Sequence, residues 1–225
     1  MGAATAQVVA FGVGVTISPL AIIAVTLLLG GAHGRLTACV FVAAWALGLI
    51  VLGTLVLLIA DGANAAQSGT PATWVGVLKL VLAALLLWVA GRQWRGRPGS
   101  EAQAELPGWM ESVESFTPAK AATSALLFAT VKPKNLLLTI GAATAIAETG
   151  ATSAQQAAAL LVFVVIGTLG PALPLVVYLL ARDRASAVLA EMRDWMVREN
   201  TTVIVVLCVV IAAKLVGDGL ATLTG

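Results

Sequence analysis

Charge is what this chain has least of. Only 11% of its 225 residues are Asp, Glu, Lys or Arg, while 60% are hydrophobic. A soluble domain carries roughly a quarter of its residues as charge. The deficit excludes a soluble globular protein and leaves an all-α polytopic membrane protein. Histidine occurs once, and the carboxylates are not clustered. That composition gives no zinc site and no catalytic triad, so neither a metal nor another cofactor is expected. An enzyme is the least supported class, since no nucleophile–base pair is visible. Cys39 and Cys208 lie in separate apolar stretches without a C-x-x-C pair, and read as buried filler. The start lacks a positively charged segment and a cleavage site, so the first apolar stretch is expected to be retained. Nucleic acid is not an expected partner.

Long apolar runs are what is there. The first expected span covers Thr5 to Gly30, the second Arg35 to Ala60, and the third Ala72 to Ala90, opened by a Thr70-Pro71 cap. A polar linker from Gly91 to Thr117 divides the chain. Within it Trp109, Met110, Val113 and Phe116 recur at helical spacing, as in an interfacial helix; a partly ordered loop is the alternative. Thr117-Pro118 opens the fourth span, which continues to Ile146. The fifth runs from Ser153, with Gln156 completing a capping box, to Ala181. Pro171 and Pro174 inside it mark a distorted helix, either a hinge or a static kink. Residues 183–199 place Val188, Leu189, Met192, Trp195 and Met196 on one face and charges on the other, the pattern of an amphipathic surface helix. Asn200 is expected to cap the sixth span, which ends near Leu223. The expected units are thus 1–91, 92–117 and 118–225.

Outside the spans, Lys and Arg are confined to alternate loops. Arg35, Arg92, Arg95, Arg97, Lys120, Arg182, Arg184, Arg193 and Arg198 all fall on one side if six spans are counted. The positive-inside rule then puts both termini on the outer side of the cytoplasmic membrane.

Inside the fourth span stands Val131-Lys132-Pro133-Lys134-Asn135. A lysine at the centre of a membrane helix costs about 2.5–3.5 kcal/mol unless it finds a partner. Proline removes a backbone donor at the same place. Such a break is tolerated where the chain is buried in protein or lines a polar cavity. Thr16-Ile17-Ser18-Pro19 stands at the corresponding place in the first span. Three spans per half give the halves opposite orientations, the pattern of a three-plus-three inverted repeat whose proline-broken first and fourth helices mark a binding site. Ser18, Pro19, Lys132, Pro133, Lys134 and Asn135 are therefore the candidate substrate-binding residues. Lys79 and Lys214, near the outer ends of their spans, form a second candidate cluster with Asp218, which is one helical turn beyond Lys214. The alternative there is a local Lys214–Asp218 pair with Lys79 reaching to the surface.

The Lys132-Pro133-Lys134-Asn135-Leu136-Leu137-Leu138 motif does not stand alone. Ser18-Pro19, Gly91-Arg92-Gln93-Trp94-Arg95, Pro107-Gly108-Trp109-Met110, Phe116-Thr117-Pro118, Arg193-Asp194-Trp195-Met196 and Lys214-Leu215-Val216-Gly217-Asp218-Gly219 accompany it in order. Together they resemble the glycopeptidolipid-addressing and sulfolipid-addressing proteins of the lysine-exporter superfamily, over nearly the whole chain. The family pattern usually has asparagine where Lys132 stands, which makes Lys134 and Asn135 the stronger candidates. The resemblance implies a six-span transporter in an actinobacterial cytoplasmic membrane that delivers complex lipids or glycolipids to the cell envelope. Its expected partners are membrane lipids and an amphipathic lipid or glycolipid. Lipid-synthesis or export proteins and a second copy of the chain are further candidates. A small-solute exporter and a non-transporting scaffold for lipid export are the other readings.

Overall fold

The computed structural model describes residues 2–31, 33–65, 73–96, 113, 115–181 and 185–224. The Thr70-Pro71 cap, the linker residues Trp109 and Met110, and Arg182 and Arg184 lie outside them.

The described chain forms eight helices: α1 (Gly2–Thr16), α2 (Pro19–Gly30), α3 (Gly34–Ala65), α4 (Thr73–Arg95), α5 (Pro118–Thr130), α6 (Pro133–Ala147), α7 (Ser153–Ala181) and α8 (Ala185–Thr224). Stretches Gly34–Asp61, Trp74–Arg95, Ser153–Ala181 and Thr201–Thr224 are long and apolar enough to cross a membrane, and α1 with α2, bent by 47°, makes up to five. α5 and α6 are 13 and 15 residues long. At 1.5 Å per residue neither crosses a hydrocarbon core of about 30 Å alone.

Both breaks have the same cause. Pro19 and Pro133 each occupy the first turn of the following helix, where a missing N–H costs nothing, and each denies the preceding turn its donor. α5 starts as expected, with the Thr117 hydroxyl accepting the Lys120 N–H at 3.3 Å. At α7 the capping box lies one residue earlier than expected. Thr152 N–H donates to Gln155 Oε1 at 3.2 Å, which frees Gln156 to reach Asp61 of α3 at 3.1 Å.

The expected cap at Asn200 is overturned: α8 runs unbroken for 40 residues. No Gly or Pro occurs between Ala185 and Val216, so nothing interrupts its hydrogen-bond ladder. Its length of roughly 60 Å is twice the hydrocarbon core, so the charged first part continues the spanning part beyond it.

α7 likewise runs unbroken through Pro171 and Pro174. Pro171 has no N–H for the Gly167 carbonyl, and the Trp45 indole of α3 donates to that oxygen at 3.2 Å. One turn of α1 closes on the same region: the Thr16 hydroxyl donates to the Ile166 carbonyl, and a Cβ on Gly170 would overlap the Thr16 carbonyl. Trp45→Phe keeps an aromatic ring, though a smaller one, and orphans a buried carbonyl. It is expected to destabilise by about 1–3 kcal/mol, measured by thermal unfolding in detergent.

The closest helix pairs are α4 with α8, α1 with α7, and α3 with α5. One end of the bundle holds Arg35, whose guanidinium lies 5.5 Å over the Tyr178 ring, together with Arg92 and Lys120. The other holds Asp61, Lys79, Glu148 and Asp218. The two breaks lie between these ends.

Candidate functional site

A broken helix leaves carbonyls without donors, and this chain fills them with side chains. Pro19 cannot serve Val15, and the Ser18 hydroxyl lies 2.9 Å from the Val15 oxygen. The Ser18 N–H turns to Thr16 at 2.9 Å, which leaves Gly14 open. Lys134, reaching across from α6, donates to the Gly14 carbonyl at 2.7 Å, the Ile17 carbonyl at 2.9 Å and the Ser18 hydroxyl at 3.3 Å. An ammonium has three protons, and each has a partner here. At the second break Asn135 Nδ2 donates to the Phe128 carbonyl at 2.9 Å, and Asn135 Oδ1 faces the Ser18 hydroxyl at 3.2 Å. The single hydroxyl proton of Ser18 is thus shared between Val15 and Asn135. Ser18, Lys134 and Asn135 are all buried. They form one polar lock that ties the two breaks together.

Beside the lock opens a cavity of about 420 Å³. The start of α2 (Pro19, Leu20, Ala21) and the second break (Phe128, Lys132 to Asn135) line it, with Trp45 of α3, Trp88, Val89, Arg92 and Gln93 of α4, and Ile204 of α8. No carboxylate occurs among the described lining residues. The Lys132 ammonium sits 4.4 Å over the Phe128 ring and the Arg92 guanidinium 5.6 Å over Trp88. A cation held on an aromatic face keeps its outward N–H groups available to a ligand. The cavity thus offers two cations, an amide from Gln93 and flat aromatic walls. That set suits an anionic group carried on a sugar or a similarly flat polar body. It does not suit a metal cation. Among the described residues no three His, Cys, Asp or Glu side chains are grouped as metal ligands.

Six of the sequence candidates, Ser18, Pro19, Lys132, Pro133, Lys134 and Asn135, come together here. Lys79, Lys214 and Asp218 do not: they lie at the opposite end. Lys79 is buried and forms an ion pair with Glu148 at 2.7 Å and a hydrogen bond to Thr222 at 3.2 Å, so it does not reach to the surface. Lys214 pairs with Asp218 within α8 and stands 5.4 Å over the Phe11 ring. Glu148→Gln leaves Lys79 buried beside a neutral group. Glu148 is partly exposed, so the expected loss is about 1–2 kcal/mol of unfolding stability, less than for a fully buried pair. Replacing both residues by Met is expected to recover most of it.

Arg92, Gln93, Trp88 and Trp45 were not evident as site residues. Arg92 and Gln93 fell in the expected linker because the apolar run ends at Ala90; α4 continues to Arg95. The available signal was the cation–aromatic spacing Trp88-x-x-x-Arg92, one helical turn on one face.

Residues 8–221 match the family described as Sap, sulfolipid-1-addressing protein. No curated protein and no solved structure matches the chain.

Proposed function

This chain belongs to the sulfolipid-1-addressing protein family, and from that premise we propose that it moves an anionic lipid headgroup across the membrane through the cavity at the two breaks. The cavity itself carries the reading: a space of about 420 Å³ within the helix bundle, with Lys132 and Arg92 on its wall and no carboxylate among its described lining residues. Without an anion to receive, the half-buried Lys132 would be a cost, while the exposed Arg92 at the mouth adds a second cation. The volume suits a headgroup, while the acyl chains stay in lipid.

In this reading α1 with α2 is one broken crossing and α5 with α6 another, giving six crossings in two inverted halves. The end bearing Arg35, Arg92 and Lys120 faces the cytoplasm, and both termini lie outside. Headgroups enter from the Arg92 end. Lys134 and Asn135 hold the breaks open to the cavity, and Lys132 and Arg92 meet the anion.

The test is vesicles that hold the purified protein and a headgroup-labelled sulfated or phosphorylated glycolipid, followed with an impermeant quencher. Wild type is expected to expose the protected half of the label within minutes, and a neutral glycolipid of the same chains is expected to move at least tenfold more slowly. Equal rates for the two lipids would remove the anionic headgroup from the account. No movement of either would favour a docking role, for which Val188 and Trp195 are exposed on the charged part of α8.

A further inference from the structure

Packing across the two breaks is lopsided. On one side α1 closes on α6: a Cβ on Gly141 would stand 2.8 Å from the Phe11 ring, and one on Gly14 would stand 2.9 Å from Leu138. On the other side α2 and α5 have no comparable packing, and the cavity lies there, between the start of α2 and Phe128. Several of the other helix contacts pair off between the halves. α1 packs on α7 as α5 packs on α3; α2 packs on α7 as α6 packs on α3; α4 packs on α6 as α8 packs on α2. Among the contacts without a counterpart, which include α7 on α8, the α1–α6 seal is the most extensive.

We propose a second state in which the seal is exchanged: α2 closes on α5, α1 parts from α6, and the cavity opens to the opposite end. This deepens the transport reading above and rests on it. The two prolines set the register between halves at 114 positions, 133 less 19. The register converts each present contact into a future one. Phe11 with Gly141 becomes Ala125 with Leu27, and Gly14 with Leu138 becomes Phe128 with Ala24. Phe128 is the floor under Lys132. Its movement onto α2 would take the Lys132 shelf away and release the anion as the cavity closes on that side.

The exchange is not energetically even. Lys134 of α6 binds the Gly14 carbonyl of α1 and the Ile17 carbonyl of the break, holding the present seal shut. Its partner in register is Leu20, which has no donor to offer α5. The state with α1 on α6 is therefore the resting state, and loading of the cavity must supply the drive to leave it.

The test uses paired cysteines in the full chain in vesicles, after Cys39→Ser and Cys208→Ala. One pair is Phe11→Cys with Gly141→Cys, and the other is Ala125→Cys with Leu27→Cys. Val15→Cys with Leu138→Cys and Ala129→Cys with Ala24→Cys serve where a first pair fails to fold. A short membrane-permeant thiol cross-linker is the probe. The α1–α6 pair is expected to cross-link readily at rest. The α2–α5 pair is expected to be at least tenfold slower, and to speed up when a sulfated or phosphorylated glycolipid is added. Either link, once complete, is expected to stop lipid movement, and reduction of a cleavable linker is expected to restore it. Lipid movement that continues with α1 fully linked to α6 overturns the exchange and leaves transport standing. Failure of both α2–α5 pairs to link in folded, translocating protein overturns it as well. Linkage of both pairs in turn, with no lipid moved, supports the exchange and removes the lipid cargo.

Discussion

Lys134→Met is expected to lower unfolding stability by about 2–4 kcal/mol and to appear first as lost protein. The substitution orphans the Gly14 and Ile17 carbonyls and removes a donor to Ser18. Each buried polar group left without a partner costs about 1–3 kcal/mol. Removal of a buried charge returns part of this, which sets the upper bound. Lys134→Arg keeps donors at the site and is expected to lose less than half as much. Denaturant unfolding in one detergent, with lipid content matched, checks both. Wild-type stability in Lys134→Met together with abolished transport would make Lys134 a cargo ligand and not the lock between the breaks.

The opposite signature is expected at Lys132 and Arg92. Their described partners are aromatic faces, so substitution leaves no orphaned polar group behind. Lys132→Gln with Arg92→Gln is expected to change stability by less than about 1 kcal/mol, the scale of an exposed cation–π contact. Affinity for an anionic headgroup is another matter. A charge-assisted hydrogen bond is worth about 1.5–3 kcal/mol in a dry site. Arg92 is exposed, so about 1–1.5 kcal/mol for each residue is the better figure. At 1.4 kcal/mol per tenfold, the double variant is expected to bind on the order of 30–100-fold more weakly. Each single variant should account for roughly the square root of that loss. Saturation curves of lipid movement against anionic lipid content would read it. An unchanged half-saturation in the double variant would take both residues out of the cargo path.

These two predictions separate what could be read in the chain from what needed the fold. The breaks were legible because proline acts locally: Pro19 and Pro133 remove a donor wherever they stand. The need of a buried lysine for partners was equally legible. Its choice of partners was not, because Gly14 and Ile17 lie more than a hundred positions from Lys134 and carry no side-chain signal. From sequence Lys134 and Asn135 are the stronger candidates for meeting cargo, and in the structure the Lys134 protons are committed to Gly14, Ile17 and Ser18. Lys79 shows the same limit. Its depth could be counted along the helix, but Glu148 looked like a loop residue until α6 brought it to 2.7 Å. Hydropathy misplaced three boundaries for one reason, the end of α3 at Ala65 among them. It reports where a helix leaves lipid and not where its hydrogen bonds end, so α4 outlasts Ala90 and α8 runs through Asn200.

The central claim is that the cavity beside the breaks holds an anionic headgroup against aromatic walls, and Trp88 reports on it most directly. An anionic glycolipid brominated on its headgroup is titrated into detergent-solubilised protein, and tryptophan emission is compared between wild type and Trp88→Phe. The account predicts saturable quenching in wild type, of which the Trp88 share vanishes in the variant, and a much weaker effect from a neutral brominated glycolipid. Equal quenching in wild type and Trp88→Phe, or equal quenching by the neutral lipid, would contradict it.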